Sequence, residues 1–153
     1  SYDPYTQKQL SVFLDDKTRL VTSYGLFPSP TSERSIALLK TGIACFGKPK
    51  SIMTDHGSTY YANHPNAQQE HTRWRITLDK PGIKHYLARV NRPQTNGKVE
   101  RFFLTYKTEY ATGSYNCLKD FIEHYNNERP HMSLNYKTPK QTWETFKAEP
   151  VSG

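Results

Sequence analysis

Cysteine is scarce in this sequence, whose 153 residues include only Cys45 and Cys117. Neither has a CxxC partner, and the two lie in unrelated helical contexts, so the chain does not predict a disulfide framework. We expect two free, buried thiols in a reducing compartment. The six histidines are scattered and lack the Cys/His spacing that is typical of a zinc site.

Long apolar runs are also missing. No run is long enough to span a bilayer and no signal peptide is recognisable, so we expect a cytoplasmic protein. Hydrophobic residues make up only 35% of the chain, but aromatic residues reach 13%. Because aromatic side chains bury large areas, we expect one folded domain over residues 1–147, followed by a short tail over residues 148–153.

Acidic residues are outnumbered by basic ones, 14 to 21, which gives a formal net charge of +7. This excess favours an anionic partner. Nucleic acid is a better candidate than a membrane surface, because no basic amphipathic helix stands out. Charge alone is equally compatible with a generic basic protein.

The hydrophobic pattern predicts the element order β-β-α-β-α-β-α-α. The predicted strands are 7–14, 20–27, 51–54 and 83–87, with a hairpin turn at 15–18. The predicted helices are 32–46, 70–79, 98–110 and 118–127, with a short helix around 141–146. The polar stretches 62–69 and 89–97 are expected to be loops. This order indicates an α/β fold in which helices cover a mixed sheet.

Asp55 is the first candidate for chemistry. It follows the short apolar strand predicted at 51–54 and precedes His56 and Gly57. A carboxylate just past the carboxyl end of a buried strand is a common position for a catalytic group in α/β sheets. Glycine allows a sharp turn at that point. The same residues also fit an Asp-x-Gly turn without chemistry, so the motif alone leaves both interpretations open.

Glu100 is the second candidate, because it is the only acid between Lys84 and Lys107 in an otherwise basic stretch. The predicted helix places it in a first turn, where the helix dipole alone would explain its presence. The preceding residues 93–97 are small and polar, and we expect a loop that can close on a substrate. In this basic field the carboxylate should ionise easily and could share a metal ion with Asp55.

The segment 126–131 has a simpler interpretation as a helix C-cap and turn. Asn and Pro account for most of its pattern. Arg129 and His131 could also face DNA. We favour the structural role.

Asp15 and Asp16 are acids that we interpret as hairpin turn residues, with Arg19 as a possible ionic partner. The turn that contains them should fall at the end of the sheet opposite to Asp55. They are therefore not expected to be catalytic.

Three segments together resemble a known family: TDHGS at 54–58, PQTNGKVER at 93–101 and YNNERPH at 125–131. The chain resembles the catalytic core of DDE-type integrases and insertion-sequence transposases, over nearly its whole length. The resemblance implies a ribonuclease-H-like fold, with a mixed five-stranded sheet flanked by helices. It also implies two Asp and one Glu that bind two Mg²⁺ or Mn²⁺ ions, with Asp55 as the second acid and Glu100 as the third.

The first acid of that pattern has no clear equivalent. In the family it lies on the strand before the hairpin, which places it at or just before Ser1. Asp3 is nearest, but Pro4 follows it and indicates a turn. We therefore expect the first strand to be truncated, the first acid to lie upstream of Ser1, and this chain by itself to be inactive.

The resemblance implies metal-dependent cleavage and strand transfer of DNA by in-line phosphoryl transfer, without a covalent protein intermediate. Lys98, Arg92, Arg101 and Asn96 are the expected DNA-binding residues. Double-stranded DNA and further copies of the chain are the expected partners. Three alternatives stay open: a ribonuclease-H-like nuclease without strand transfer, a domesticated DNA-binding module, and a basic interaction domain in which Asp55 and Glu100 lie far apart.

Overall fold

The computed structural model describes residue 3 and residues 6–29, 31–54, 67–87 and 93–148. The chain divides into two compact units. The first unit comprises residues 1–13 and 22–97, and the second comprises residues 14–21 and 98–153. Each unit has its own buried core, and the two are described separately below.

Strands β1 (Gln9–Leu14) and β2 (Val21–Phe27) form the predicted hairpin. Their connection is too short for a parallel crossover, so the pair is antiparallel. Both strands begin later than predicted, and the backbone explains why. Gln7 and Arg19 adopt left-handed conformations, with φ of 57° and 64°, which an extended strand does not accommodate.

Helix α1 (Ser32–Phe46) has the predicted bounds. Thr31 caps its start, because its Oγ1 accepts a hydrogen bond from the backbone N–H of Arg34 at 3.3 Å. Gly47 ends it with φ of 90° and donates its N–H to the carbonyl of Ile43. Local signals therefore fix both ends of this helix.

Strands β3 (Ser51–Thr54) and β4 (Lys84–Leu87) pair in parallel, with Ser51 opposite Lys84 and Thr54 opposite Leu87. Helix α2 (Ala67–Asp79) precedes β4 and starts earlier than predicted, so residues 67–69 are helical rather than loop. The core of this unit is Leu39, Ile52, Trp74, Leu78 and Ile83.

Helix α3 (Pro93–Thr105) also starts earlier than predicted. The sequence analysis assigned residues 93–97 to a loop, and this was wrong. Proline is favoured at the first position of a helix, where its missing N–H has no intrahelical partner to lose. After Thr105 the chain continues as a π-helical turn, Tyr106–Tyr110.

The rest of the second unit consists of α4 (Leu118–Asn127), a 3₁₀ turn (Met132–Leu134) and α5 (Pro139–Ala148). Helix α4 has the predicted bounds, and α5 is longer than predicted. The core of the unit is largely aromatic, with ring-to-ring contacts of 5–6 Å between its members. Its buried side chains include Phe102, Tyr106, Tyr110, Phe121, Ile122 and Tyr125. Val99 on α3 is exposed.

Within the described residues, the strands form two two-stranded sheets, so the expected five-stranded sheet is not seen in that part of the chain.

Both cysteines are free, as predicted, but both are exposed, so the expectation of buried thiols was wrong. No helix in the described ranges has the length and apolar character needed to cross a bilayer.

Candidate active site

Asp55 itself lies outside the described residues, but the strand end that leads to it is well fixed. Thr54 is buried, and its Oγ1 lies 2.7 Å from Nε2 of His85 on β4. The indole N–H of Trp74 donates a weaker hydrogen bond, 3.4 Å long, to the same nitrogen. Both contacts converge on the same ring nitrogen of His85. The residue before Asp55 is therefore held by both β4 and α2.

Glu100 is exposed on α3. Because α3 begins at Pro93, Glu100 lies beyond the first turn, which contains no acid. The expected stabilisation by the helix dipole was therefore wrong. No described residue forms an ion pair or hydrogen bond with the Glu100 carboxylate, so its oxygens are available to an external ligand.

The residues next to Glu100 differ in their surroundings. Lys98 is partly buried, with Nζ 2.9 Å from Oδ1 of Asp16 and 3.0 Å from the Asp16 carbonyl oxygen, to which it donates. Arg101 is exposed and has no ion pair within the described part of the chain. Asn96 belongs to α3, and Arg92 lies outside the described residues. Residues 93–97, expected to form a closing loop, are helical instead.

The hairpin acids have the structural role that the sequence predicted. Asp15 Oδ2 accepts hydrogen bonds from the backbone N–H and the Oγ1 of Thr18, at 2.8 and 2.7 Å. The Asp16 carboxylate pairs with Lys98 rather than Arg19, which corrects the expected pairing. Arg19 donates instead to the Asp16 carbonyl oxygen.

Asp3, the nearest candidate for the first acid, takes part in a local turn. Its side chain is almost completely buried. Its Oδ2 accepts hydrogen bonds from the N–H and the Oγ1 of Thr6, at 2.7 and 2.6 Å. This carboxylate closes a tight turn, as the following proline suggested.

The segment 126–131 is engaged inside the second unit. Asn126 bonds both backbone groups of Val21: Oδ1 accepts from the N–H at 2.9 Å, and Nδ2 donates to the carbonyl at 3.1 Å. Arg129 forms a bidentate pair with Glu109 in the π-helical turn, at 2.8–3.1 Å. These contacts support the structural interpretation of this segment over a DNA-facing one.

His131 also belongs to that buried network. Burial, together with the positive charges of Arg129 and Arg19, lowers the pKa of His131 to about 4, so the ring is neutral at pH 7. Among the described side chains, its Nε2 has no hydrogen-bond partner. Sequence reasoning missed Glu109 altogether, because its partner is far away in the chain.

The described residues contain no group of three or more His, Cys, Asp or Glu that could hold a metal ion. The donor chemistry of Glu100 nevertheless fits Mg²⁺, which prefers oxygen ligands, because its exposed carboxylate has no partner in the described ranges.

Comparison with known families gives two matches, both to families described as "Integrase core domain". One covers residues 2–93 and the other covers residues 81–139. The "Putative integrase ORF3" of Spiroplasma virus SpV1-C74 is 34% identical over 143 residues, covering 83% of this chain and 39% of that protein. An Escherichia coli protein, "Transposase InsD for insertion element IS2A/D/F/H/I/K", is 31% identical over 102 residues. The match covers 61% of this chain and 31% of that protein.

Solved structures with a similar fold include the catalytic core domain of BIV integrase. It has a TM-score of 0.74 and 17% identity, and the match covers 96% of this chain and 92% of that one. The HTLV-2 integrase catalytic core domain in complex with magnesium has a TM-score of 0.66 and 22% identity. The match covers 93% of this chain and 90% of that one. These likenesses show a ribonuclease-H-like α/β fold.

The curated relatives are longer proteins, because the matched region spans about two fifths of the viral protein and about a third of the bacterial one. The family matches together extend over most of the chain, and the motifs at 54–58 and 93–101 fall inside them. The chain therefore belongs to the integrase core domain family, as an integrase or transposase core.

Proposed function

We propose that this chain is the core of a protein that cuts DNA strands and joins them to new DNA during integration or transposition. The single observation that carries the proposal is the state of Glu100. In a chain of this family, its carboxylate is exposed and unpaired among the described residues, although it lies in a strongly basic stretch. Such a carboxylate offers oxygen ligands of the kind that Mg²⁺ prefers.

Asp55 and Glu100 are the proposed ligands of Mg²⁺ or Mn²⁺. When bound, the metal ions would lower the pKa of the attacking hydroxyl and offset charge on the reacting phosphate. The protein's own part is to hold the carboxylates in place. The Thr54–His85–Trp74 contacts would do this for Asp55, and the regular backbone of α3 would do it for Glu100. Asp3 is not proposed as the first acid, because it is buried and its Oδ2 accepts two hydrogen bonds from Thr6.

Double-stranded DNA is the proposed substrate, with Lys98, Arg92, Arg101 and Asn96 as contacts to its backbone. Such contacts would give sequence-independent, salt-sensitive binding. We also propose that the core acts in several copies. The HTLV-2 core is described in trimeric and dimeric forms, and a related simian viral integrase in an intasome.

The test is a strand-transfer assay with the longer protein that carries this core, a DNA donor with a free 3′-hydroxyl, and Mg²⁺ or Mn²⁺. Glu100→Gln should reduce both cleavage and joining by at least about 100-fold while leaving metal-free DNA binding intact. Glu123→Gln, at an exposed acid on α4, is the matched control and should be fully active. Equal activity of the two variants would remove Glu100 from the mechanism. Cleavage without joining by the unmodified protein would instead identify a nuclease, and neither reaction would identify a DNA-binding module.

A further inference from the structure

The parallel pairing of β3 and β4 places two loops at the same end of these strands. Residues 47–50 lead into β3 and residues 80–83 lead into β4, so both loops lie at the amino ends. Asp55 follows the carboxyl end of β3. Four strand residues at about 3.3 Å each separate the two ends, which is roughly 13 Å.

Four exposed lysines lie at this amino end: Lys48, Lys50, Lys80 and Lys84, hereafter the lysine platform. Acids are almost absent around it. The chain has no Asp or Glu from Ser35 to Thr54, and Asp79 is the only one from Arg73 to Lys84. The platform is therefore a local concentration of positive charge in the first unit, well away from the strand end that Asp55 follows.

Hydrogen bonds between the two loops hold the platform in shape. Lys48 Nζ donates to the carbonyl oxygen of Pro81 at 2.6 Å, and the backbone N–H of Lys84 donates to the carbonyl of Lys50 at 3.1 Å. The loop at residues 80–83 turns at Gly82, whose φ of 75° is readily adopted by glycine. An open recess of about 450 Å³ lies beside Lys84 and is lined by Asp79, Gly82, Ile83, Lys84, His85 and Tyr86, so one platform lysine borders it. The hydrogen bonds between the two loops fix the spacing of the backbone segments that carry the four lysines, and a fixed concentration of positive charge suits a rigid polyanion.

We propose that the lysine platform is a second DNA-binding surface, which takes the phosphate backbone of duplex DNA outside the Asp55–Glu100 site. The ammonium groups are point charges that bind phosphates without reading sequence. Lys48 keeps two of its three donors free for a phosphate after bonding Pro81.

The carboxyl ends of α1 and α2 lie next to these loops, so the lysines also offset partial negative charge there. This interaction of the lysines with the helix ends affects the stability of the fold. Phosphate binding affects the salt dependence of DNA binding, because each neutralised phosphate contributes about 0.9 to the slope of log K against log salt concentration.

The experiment measures fluorescence anisotropy of a short labelled duplex without divalent metal, at several salt concentrations. One variant changes the four platform lysines to Gln. The matched control changes four exposed lysines of the second unit, Lys107, Lys119, Lys137 and Lys140, to Gln and removes the same formal charge. In the platform variant, the slope of log K against log salt concentration should become shallower by about 2–4. In the control variant it should change by less than about 1.

Equal losses in both variants would overturn the proposal, because net charge alone would then explain binding. A platform variant with four Lys→Arg changes should keep the full slope, and loss of slope there would also overturn it. The metal-free readout is independent of the proposed chemistry, so failure of one proposal is distinguishable from failure of the other.

Discussion

Lys98 on α3 is tied to the tip of the hairpin by Asp16, with Nζ 2.9 Å from the carboxylate and 3.0 Å from the carbonyl of the same residue. The lysine proposed to contact DNA thus already has an anionic partner in the absence of DNA. A phosphate must compete with Asp16 for this ammonium. The pair is mostly solvent-exposed on the Asp16 side, so the competition should be mild.

Asp16→Asn should therefore strengthen sequence-independent DNA binding by about 2- to 5-fold, equivalent to the 0.5–1 kcal/mol typical of a partly exposed pair. The gain should disappear in a Lys98→Gln background, because no ammonium remains to be released. Affinity titrations at low salt measure both effects. Glu123→Gln removes the same charge elsewhere and is the control. A gain of equal size in that control would show that only net charge matters.

Asn126→Ala should destabilise the fold by about 1–3 kcal/mol, because it leaves the buried N–H and carbonyl of Val21 without their side-chain partner. Asn126→Asp keeps the acceptor for the Val21 N–H but places a carboxylate oxygen against the Val21 carbonyl oxygen, so it should destabilise the fold as well. Urea denaturation measures the difference in unfolding free energy. The neighbouring Asn127 is exposed, and Asn127→Ala should change stability by no more than about 0.5 kcal/mol. Similar losses at 126 and 127 would contradict the assignment.

Arg129→Lys should cost about 1 kcal/mol of stability, since an ammonium cannot reproduce the bidentate contact of the guanidinium with Glu109. The same pair raises the pKa of Arg129. For comparison, Lys119→Gln breaks a looser, well-exposed pair with Glu123 and should cost only a few tenths of a kcal/mol. Denaturation of Arg129→Lys, Glu109→Gln and the double variant gives the coupling energy. A coupling near zero would mean that the pair does not stabilise the fold.

His131 should make stability depend on pH in acid. Burial and the nearby Arg129 and Arg19 lower the pKa of His131 from 6.5 to about 4 in the folded state. Between these values the unfolded chain binds a proton and the folded chain does not. Stability is therefore complete above pH 6.5 and falls as the pH drops towards 4. Because the ring is only partly buried, we expect a loss on the order of 1 kcal/mol rather than the full linkage value.

The His131 prediction is checked with His131→Phe, which keeps a ring against Tyr125 but cannot titrate. The difference in unfolding free energy between pH 7 and pH 4.5 should shrink in this variant. His124→Gln, at a more exposed histidine paired with Glu128, is the control for general acid effects. An unchanged pH dependence in His131→Phe would show that another group causes the acid loss.

Sequence reasoning succeeded where the signals are local. The cap at Thr31, the stop at Gly47 and the apolar spacing of Phe121, Ile122 and Tyr125 predicted α1 and α4 with their observed bounds. It failed at α3, where the polar, glycine-containing residues 93–97 have a loop-like composition. The proline that starts the helix was interpreted as part of that loop.

For the candidate site, the sequence predicted structural roles for the two acids of the hairpin and for the polar segment 126–131. It could not predict the partners. Lys98 and Asp16 are 82 residues apart, and Asn126 and Val21 are 105 apart, so only the folded chain brings them together. The convergence of Asp55 and Glu100 on shared metal ions stays a prediction.

The double contact between Asn126 and Val21 has a consequence for the hairpin as a surface. A side-chain amide that offers one acceptor and one donor imitates the backbone of a neighbouring strand. The first residue of β2 is thereby closed to edge-to-edge pairing with a foreign strand, a common route to aggregation. An asparagine on a helix thus satisfies both backbone groups of the residue at which this strand starts.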